Sequence, residues 1–331
     1  MADRYRLLGA ENSPYSVKVR SFLRYRGTPH EWMLRSQAQD EFQRLAKLPL
    51  IPLLVTPDGE GVQDSTPILE RLEEEVGGPS IHPEDAALAF LSALVEEYGD
   101  EWGNKWMFHF RWAREADQRA ASRRLVDDMM PGVEPDQVEG LAAGIRERMV
   151  PRVWFVGSSE QTAPLIEASF AAAVARLEAH LEHRDYLFGG RPAFGDFGLA
   201  AELYELSLDP TPAAVLEEAP RTLAWARRML APEERGPFES LEALLPTLEP
   251  LLADEIGGRF LPWSEANARA IAGGHEEFTV DLAGGTWTQK PQKYHARSLA
   301  ALRRRFAALD GATRARLDPV LKRTGCLRWL E

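Results

Sequence analysis

Cysteine is almost missing from this 331-residue chain, with Cys326 as the one thiol. A single thiol excludes an intrachain disulfide and any cysteine-based metal cluster. Long apolar runs are missing too: none approaches the ~18 residues that a membrane-spanning helix needs. No charged-then-apolar leader opens the sequence, and the expected location is the cytoplasm. Positive charge is in deficit, with 39 Lys and Arg against 51 Asp and Glu and a net charge of −12. That balance opposes nonspecific binding to nucleic acid or to an anionic membrane. Neither a Walker-type loop nor a dinucleotide glycine loop is present. His180 and His183, flanked by Glu178 and Glu182, are spaced like a metal pair but have no third convergent ligand, so no metal is expected. What remains, 44% hydrophobic and 27% charged, is an ordinary globular composition, long enough for two or three domains and a full-sized core.

Three short segments in the first 66 residues carry the chemistry. The strand-like Tyr5-Arg6-Leu7-Leu8 ends at Gly9. Asn12-Ser13-Pro14-Tyr15-Ser16 then reads as a helix start, with Ser13 as N-cap and Pro14 at the first helical position. Such a turn points backbone N–H groups at whatever sits beside Ser13. Next, Leu50-Ile51-Pro52 precedes the apolar Leu53-Leu54-Val55-Thr56, a proline at the entrance of a strand. Last, Gln63-Asp64-Ser65-Thr66-Pro67 reads as another helix start, capped by Ser65 or Thr66.

In this order, on a β-α-β-α-β-β-α pattern, the segments resemble the glutathione site of serine-type glutathione transferases. Ser13-Pro14-Tyr15-Ser16-x-Lys18-Val19-Arg20 is similar to that family's active-site turn, and also to a thioredoxin-type Cys-Pro-x-Cys turn with serine at both cysteine positions, Ser13 and Ser16. Without a nucleophilic sulfur, thiol–disulfide exchange at this turn is not expected. The resemblance implies that Ser13 faces the glutathione sulfur, with neighbouring Asn12 as a second candidate donor. It implies a cis bond before Pro52, so that the main chain of Ile51 pairs with the cysteinyl part of the tripeptide. It implies that Asp64 and Ser65 hold the γ-glutamyl end, the acid toward the ammonium and the hydroxyl and N–H on the carboxylate. The loop Ala46-Lys47-Leu48-Pro49 lacks the Asn-Pro-x-Gly pattern often found there, which leaves the glycyl end without an assigned side chain.

A thiolate beside Ser13 is energetically reasonable. Poising a thiol of pKa ~8.5 at neutral pH needs about 1.5 units, or roughly 2 kcal/mol. A helix N-terminus supplies up to ~2 kcal/mol and one hydrogen bond to a charged group about 1.5–3. Serine is too weak a base to take the proton, so Ser13 would act as a donor to the sulfur anion.

The Gly/Pro-rich run Gly77–Pro83 closes a thioredoxin-like domain expected at 1–78. An all-helical domain is expected at 84–250. Leu88, Leu91, Val95, Tyr98, Trp102, Trp106, His109 and Ala113 recur as one long amphipathic helix, and Phe170, Val174, Leu177 and Leu181 as another. Gly99 and Gly103 inside the first stripe imply a closely packed neighbour or a distortion beside a cavity, because each costs roughly 1 kcal/mol relative to Ala. Leu187–Phe197 resembles the family's turn into a core helix, with Asp196 able to reach back to the cap and Ala193 where Ser or Thr is favoured. A C-terminal extension, 251–331, is expected to hold a helix near Ser264–Ala272, a β-hairpin around Gly284-Gly285, and one or two further helices. It resembles the tail of a long bacterial branch of the superfamily and would cover either the substrate cleft or a dimer surface.

The fold class implied is therefore a thioredoxin-like α/β domain, an all-α glutathione-transferase domain and this extension. The function implied is a glutathione-dependent transferase or lyase-type enzyme, with glutathione as co-substrate and no metal, acting on a small hydrophobic electrophile as a homodimer. The resemblance places the electrophile between the first turn of the N-terminal helix and the long helix, which makes Tyr15, Trp102, Trp106, His109 and Arg111 its candidate wall. Core packing is the competing reading of the same aromatic stripe. A noncatalytic binding or scaffold protein on this fold is the competing reading of the whole chain, and another low-molecular-weight thiol would suit the same residues. Arg303-Arg304-Arg305 reads as a solvated helix face and Cys326 as a small packed or exposed residue.

Overall fold

The computed structural model describes residues 4–331, so the first three positions of the expected N-terminal domain lie outside the described residues. The chain starts with β1 (Tyr5–Gly9), α1 (Pro14–Tyr25), β2 (His30–Leu34), α2 (Gln39–Leu45), β3 (Leu53–Val55), β4 (Gly61–Gln63) and α3 (Ser65–Glu75). The four strands form one sheet in the order β2-β1-β3-β4. β1 and β2 are parallel, pairing Leu7 with Trp32. β3 runs antiparallel to β1, pairing Leu7 with Leu54, and β4 is antiparallel to β3. Alternation decides the packing: Leu7 and Leu54 face α1 and α3, while Leu8, Leu53 and Val55 face Phe42 of α2. This is the βαβ–ββα arrangement expected from the sequence.

The helical part follows with α4 (Ala86–Tyr98), α5 (Asn104–Ala113), α6 (Glu115–Met129), α7 (Pro135–Met149), α8 (Ala163–His180), α9 (Phe194–Leu206), α10 (Pro210–Glu217) and α11 (Pro220–Arg228). The long stripe through Trp102 is one continuous rod, since α4 and α5 are joined by a π-helical stretch at Gly99–Gly103 with helical dihedrals on both sides. The close neighbour expected at its glycines is present, and the distortion is present with α9 packed beside it rather than a cavity. A Cβ on Gly99 would lie 2.6 Å from the Leu199 N of α9, and the same glycines carry the π distortion. The Asp196 half of the expected capping box is present: its carboxylate accepts from the N–H groups of Ala193 and Leu187 and from the Trp225 indole.

α12 (Leu241–Leu251) continues through a π-helical stretch (Leu252–Phe260) into α13 (Leu261–Ala272). The expected boundary at 250/251 thus falls inside a continuous helix, and the extension grows out of the helical part. The hairpin is present as β5 (Phe278–Leu282) and β6 (Gly285–Gln289), pairing Val280 with Trp287. It is followed by α14 (Ala296–Ala307), α15 (Gly311–Arg323) and the short α16 (Leu327–Leu330). These elements close over the long rod. Trp287 and Trp263 pack on Trp102 with ring centroids 5.4 and 6.0 Å away, and Phe306 packs on Phe90 at 5.4 Å. One hydrophobic core therefore runs from Leu7 to Leu330, with Cys326 buried in it. No described helix is long and apolar enough to cross a membrane.

Replacing Gly99 by Ala drives a methyl into the backbone of α9. A loss of about 1–3 kcal/mol is expected from overpacking, larger than the roughly 1 kcal/mol gained in helix propensity. At Gly103 the nearest atom is the flexible Glu202 Cγ at 3.2 Å, so Gly103→Ala should cost clearly less. Urea denaturation midpoints of the two variants check the ranking.

Candidate functional site

The first turn of α1 abuts the starts of α3 and of the π-helical stretch. Ser13 is the N-cap in an extended conformation, and its hydroxyl oxygen accepts from the Ser16 N–H at 3.3 Å. Its carbonyl takes the Val17 N–H at 3.0 Å. Among the described residues the Ser13 hydroxyl donates to nothing, and the Tyr15 N–H has no partner. Those two donors sit at the positive end of α1, where Pro14 supplies no N–H of its own.

Asn12 sits differently from its expected place beside the sulfur. Its Nδ2 donates to Asp128 Oδ2 at 2.7 Å and to the Arg124 carbonyl at 3.3 Å, and its Oδ1 accepts from Arg124 Nε at 2.9 Å. Its main chain is held too, by Asp128 and by Arg111, which donates to the Asn12 carbonyl at 2.9 Å. Every polar atom of the Asn12 side chain is thereby bound to α6, which removes it as a free donor.

The Ile51–Pro52 peptide is cis, with Ile51 half-buried at the entrance of β3. Asp64 precedes α3 at φ 79°, a left-handed conformation that costs a non-glycine residue of order 1–3 kcal/mol. The helix starts at Ser65, one residue after Asp64, and Asp64 itself makes no side-chain cap. Instead its Oδ2 accepts from the Tyr294 hydroxyl of the extension at 2.5 Å. Ser65 is buried, and its hydroxyl contacts Lys18 Nζ at 3.3 Å and Asp100 Oδ2 at 3.4 Å.

Lys18 lies outside the site residues expected from the sequence. It is fully buried in the middle of α1, and its ammonium donates to Thr66 at 2.9 Å, to Asp100 at 2.6 Å and to Glu96. One ammonium cannot neutralise Glu96, Glu97 and Asp100 together. Burial and the remaining negative neighbours push Glu96 up to about 8 and Glu97 up to about 7.

The candidate electrophile wall is mostly core. Trp102 and Trp106 are 1% and 0% exposed, and both indole N–H groups donate to Ser169, at 2.8 and 3.0 Å. Ser169 in turn donates to Glu255 at 2.5 Å. His109 is buried between Ser158 at 2.8 Å and Glu167 at 3.2 Å, and burial lowers its pKa. Arg111 forms a buried ion pair with Glu205 at 2.7 Å. These four correct the expected wall: the extension packs Trp263 and Trp287 on Trp102, and all four side chains are buried with internal hydrogen-bond partners. Tyr15 alone stays partly exposed, with its hydroxyl donating to the Asp100 carbonyl at 3.0 Å. Burial and the nearby Glu202, Asp100, Tyr294 and Asp64 raise its pKa well above the ordinary range. The structure thus gathers Ser13, Tyr15, Asp64 and Ser65 around α1, with Lys18, Glu96, Asp100 and Tyr294 as the members that sequence reasoning missed. A buried lysine looks like any helix-face lysine in sequence, and Tyr294 lies 230 positions from its partner. His180 bonds Thr247 and the Leu187 carbonyl. Among the described residues no group of three or more His, Cys, Asp or Glu is placed to hold a metal.

Comparison with known proteins bears on both halves. The family model of the glutathione S-transferase N-terminal domain matches residues 12–75, and that of the C-terminal domain matches residues 137–228. Solved structures of similar fold include a glutathione S-transferase from Methylobacterium radiotolerans in complex with glutathione sulfonate, 21% identical over 72% of this chain and 96% of that one, with a TM-score of 0.44. A β-etherase from Sphingobium is 19% identical over 75% and 99%, with a TM-score of 0.45. A glutathione S-transferase from Rhodospirillum rubrum is 16% identical over 89% and 99%, with a TM-score of 0.43. A search of the curated proteins returns no match.

Buried acids make stability depend on pH in a definite sense. Desolvation pushes Asp196, Glu205 and Glu255 up to about 7, as it does Glu96 to about 8. A raised carboxyl contributes stability below its unfolded value of ~4.3 and loses it as pH rises through the folded value. Buried neutral His180 and His295, both lowered to about 4, act in the opposite sense, but only below ~6.5. Between pH 6.5 and 8.5 the raised acids, Glu202 among them, lower stability, while the buried Lys105 amine, held well below its ordinary pKa, acts in the opposite sense; the acids outnumber it, so the thermal midpoint should fall. Calorimetric scans at the two pH values check this, and a flat or rising midpoint contradicts it.

Proposed function

Because the chain belongs to the glutathione transferase superfamily, we propose that it binds glutathione with the sulfur at Ser13 and stabilises the thiolate there for attack on a small hydrophobic electrophile. The carrying observation is the unengaged donor pair at the N-terminus of α1, the Ser13 hydroxyl and the Tyr15 N–H, beside an Asn12 whose side chain is fully bound elsewhere. Ile51, at the cis bond, offers main-chain groups at the entrance of β3. Asp64, at a left-handed backbone position, offers a carboxylate to an ammonium, and Ser65 opens a helix whose N-terminus suits a carboxylate. The electrophile would lie on the exposed side of Tyr15, because the Trp102–Trp106 wall is filled. The reading carries a homodimer, to be checked by light scattering.

A specific observation favours a second reading, a noncatalytic protein that kept the fold. The Asp64 carboxylate already holds Tyr294, and Ser65 already faces Lys18. Glutathione binding without turnover of aryl halides, epoxides or peroxides would select it.

The first reading makes a direct prediction for Ser13→Ala. Loss of one hydrogen bond to a charged sulfur, about 1.5–3 kcal/mol, should raise the pKa of the bound thiol by about 1–2 units. Thiolate absorbance of the glutathione complex against pH reads this out. An unchanged titration would transfer the role to the Tyr15 N–H, and no calorimetric heat at millimolar glutathione would remove the reading altogether.

A further inference from the structure

Residues 290–295 lead from β6 to α14 and form a short strap across the mouth of the candidate site. The strap is fixed at both ends. The Gln292 main chain exchanges two hydrogen bonds with the Asn267 side chain, at 2.7 and 3.0 Å. His295 rests on Glu101 and edge-on against Trp263, with ring centroids 5.4 Å apart. Beyond it, α14 is tied to α3 by Arg305 and Glu70, and α15 to the start of α4 by Arg316 and Asp85 at 2.8 Å. Between the anchors stands Tyr294, 42% exposed, whose hydroxyl donates to Asp64 Oδ2.

That contact has two notable properties. It occupies one of the two carboxylate oxygens, Oδ2, and so takes up part of the acceptor capacity that a cationic ligand at Asp64 would draw on. It is also cheap to break: the phenol is exposed, the nearest aromatic neighbour of its ring is His295 at 6.5 Å, and the anchors on either side hold without it. Lys293 and Arg297, on either side, are exposed as well.

We infer that Tyr294 gates the Asp64 end of the site: its phenol and the α-ammonium of an incoming γ-glutamyl group compete for one carboxylate, and binding requires Lys293 and Tyr294, the stretch between the two anchors, to swing off Asp64. This rests on the glutathione reading above. The closed strap lowers the population of the binding-competent form, and the apparent dissociation constant rises by the inverse of that fraction. Tyr294 is then an affinity-setting residue supplied by the extension.

Calorimetry of the full chain with glutathione tests the gate, using wild type, Tyr294→Phe and Tyr294→Ala, together with hydrogen–deuterium exchange across residues 290–295. Tyr294→Phe keeps the ring and removes the hydrogen bond, and should tighten binding about 3- to 10-fold. Tyr294→Ala should tighten it at least as much. In wild type, saturating glutathione should speed exchange in the strap. Equal affinity of wild type and both variants with unchanged strap exchange overturns the gate and leaves the glutathione site standing. Weaker binding by Tyr294→Phe also overturns it, since Tyr294 would then hold the ligand. No binding by any of the three overturns the glutathione reading, and the gate with it.

Discussion

One buried ammonium holds the two halves of the molecule in register. Lys18 leaves the middle of α1 and reaches Thr66 at the start of α3 as well as Glu96 and Asp100 on the long rod. Burying a cation is tolerable only when its partners are close and hydrogen-bonded, and stripping a partner from such a pair costs about 3–5 kcal/mol. Both conditions are met here, since Thr66 also donates to Glu96 at 2.5 Å. The start of α3 and the π-helical stretch are therefore fixed relative to the Ser13 turn. The positions of Asp64 and Ser65, and so the shape of the candidate site, follow from that anchor.

Around this point the acids outnumber the cations. Glu96, Glu97, Asp100, Glu202 and Glu205 surround Lys18 and Arg111, and desolvation raises the pKa of Glu96, Glu97, Glu202 and Glu205. The extension fits the same surface. His295 rests on Glu101, and Tyr294 closes on Asp64. Its tryptophans cover the rod, and the buried ammonium of Lys105 stands 3.6 Å from the Trp263 ring centroid. An aromatic face partly replaces the lost hydration of that cation, although burial still pushes its pKa well below the ordinary value. The wall expected from the sequence to face an electrophile is thus interior here.

Much of the architecture was legible because its signals are local. Ser13-Pro14 marks a helix start, Phe278-Thr279-Val280-Asp281-Leu282 and the glycines after it mark a hairpin, and the Leu88–Ala113 stripe marks a rod. The glycines at 99 and 103 correctly announced a close neighbour and a distortion. The site was legible only in part. The resemblance nominated Ser13, Ile51, Pro52, Asp64 and Ser65, and helix-start signals at Ser13 and Ser65 are local, but a stripe of Trp102, Trp106 and His109 has the same period whether it lines a cleft or is buried. Asn12, beside Ser13 in sequence, turned to α6 because Asp128 and Arg124 satisfy all of its polar atoms at once.

Backbone propensity, capping and apolar periodicity act over a few residues, and the sequence by itself determined what they control: the order of strands and helices, the Ser13 turn, the hairpin and the lack of any disulfide. Tertiary structure alone decided where side chains far apart in the chain would meet. The burial of Lys18 among acids, the burial of the tryptophan wall and the 230-residue reach of Tyr294 to Asp64 depend on how helices pack. Packing is set by the fit of whole surfaces, and no local pattern encodes it.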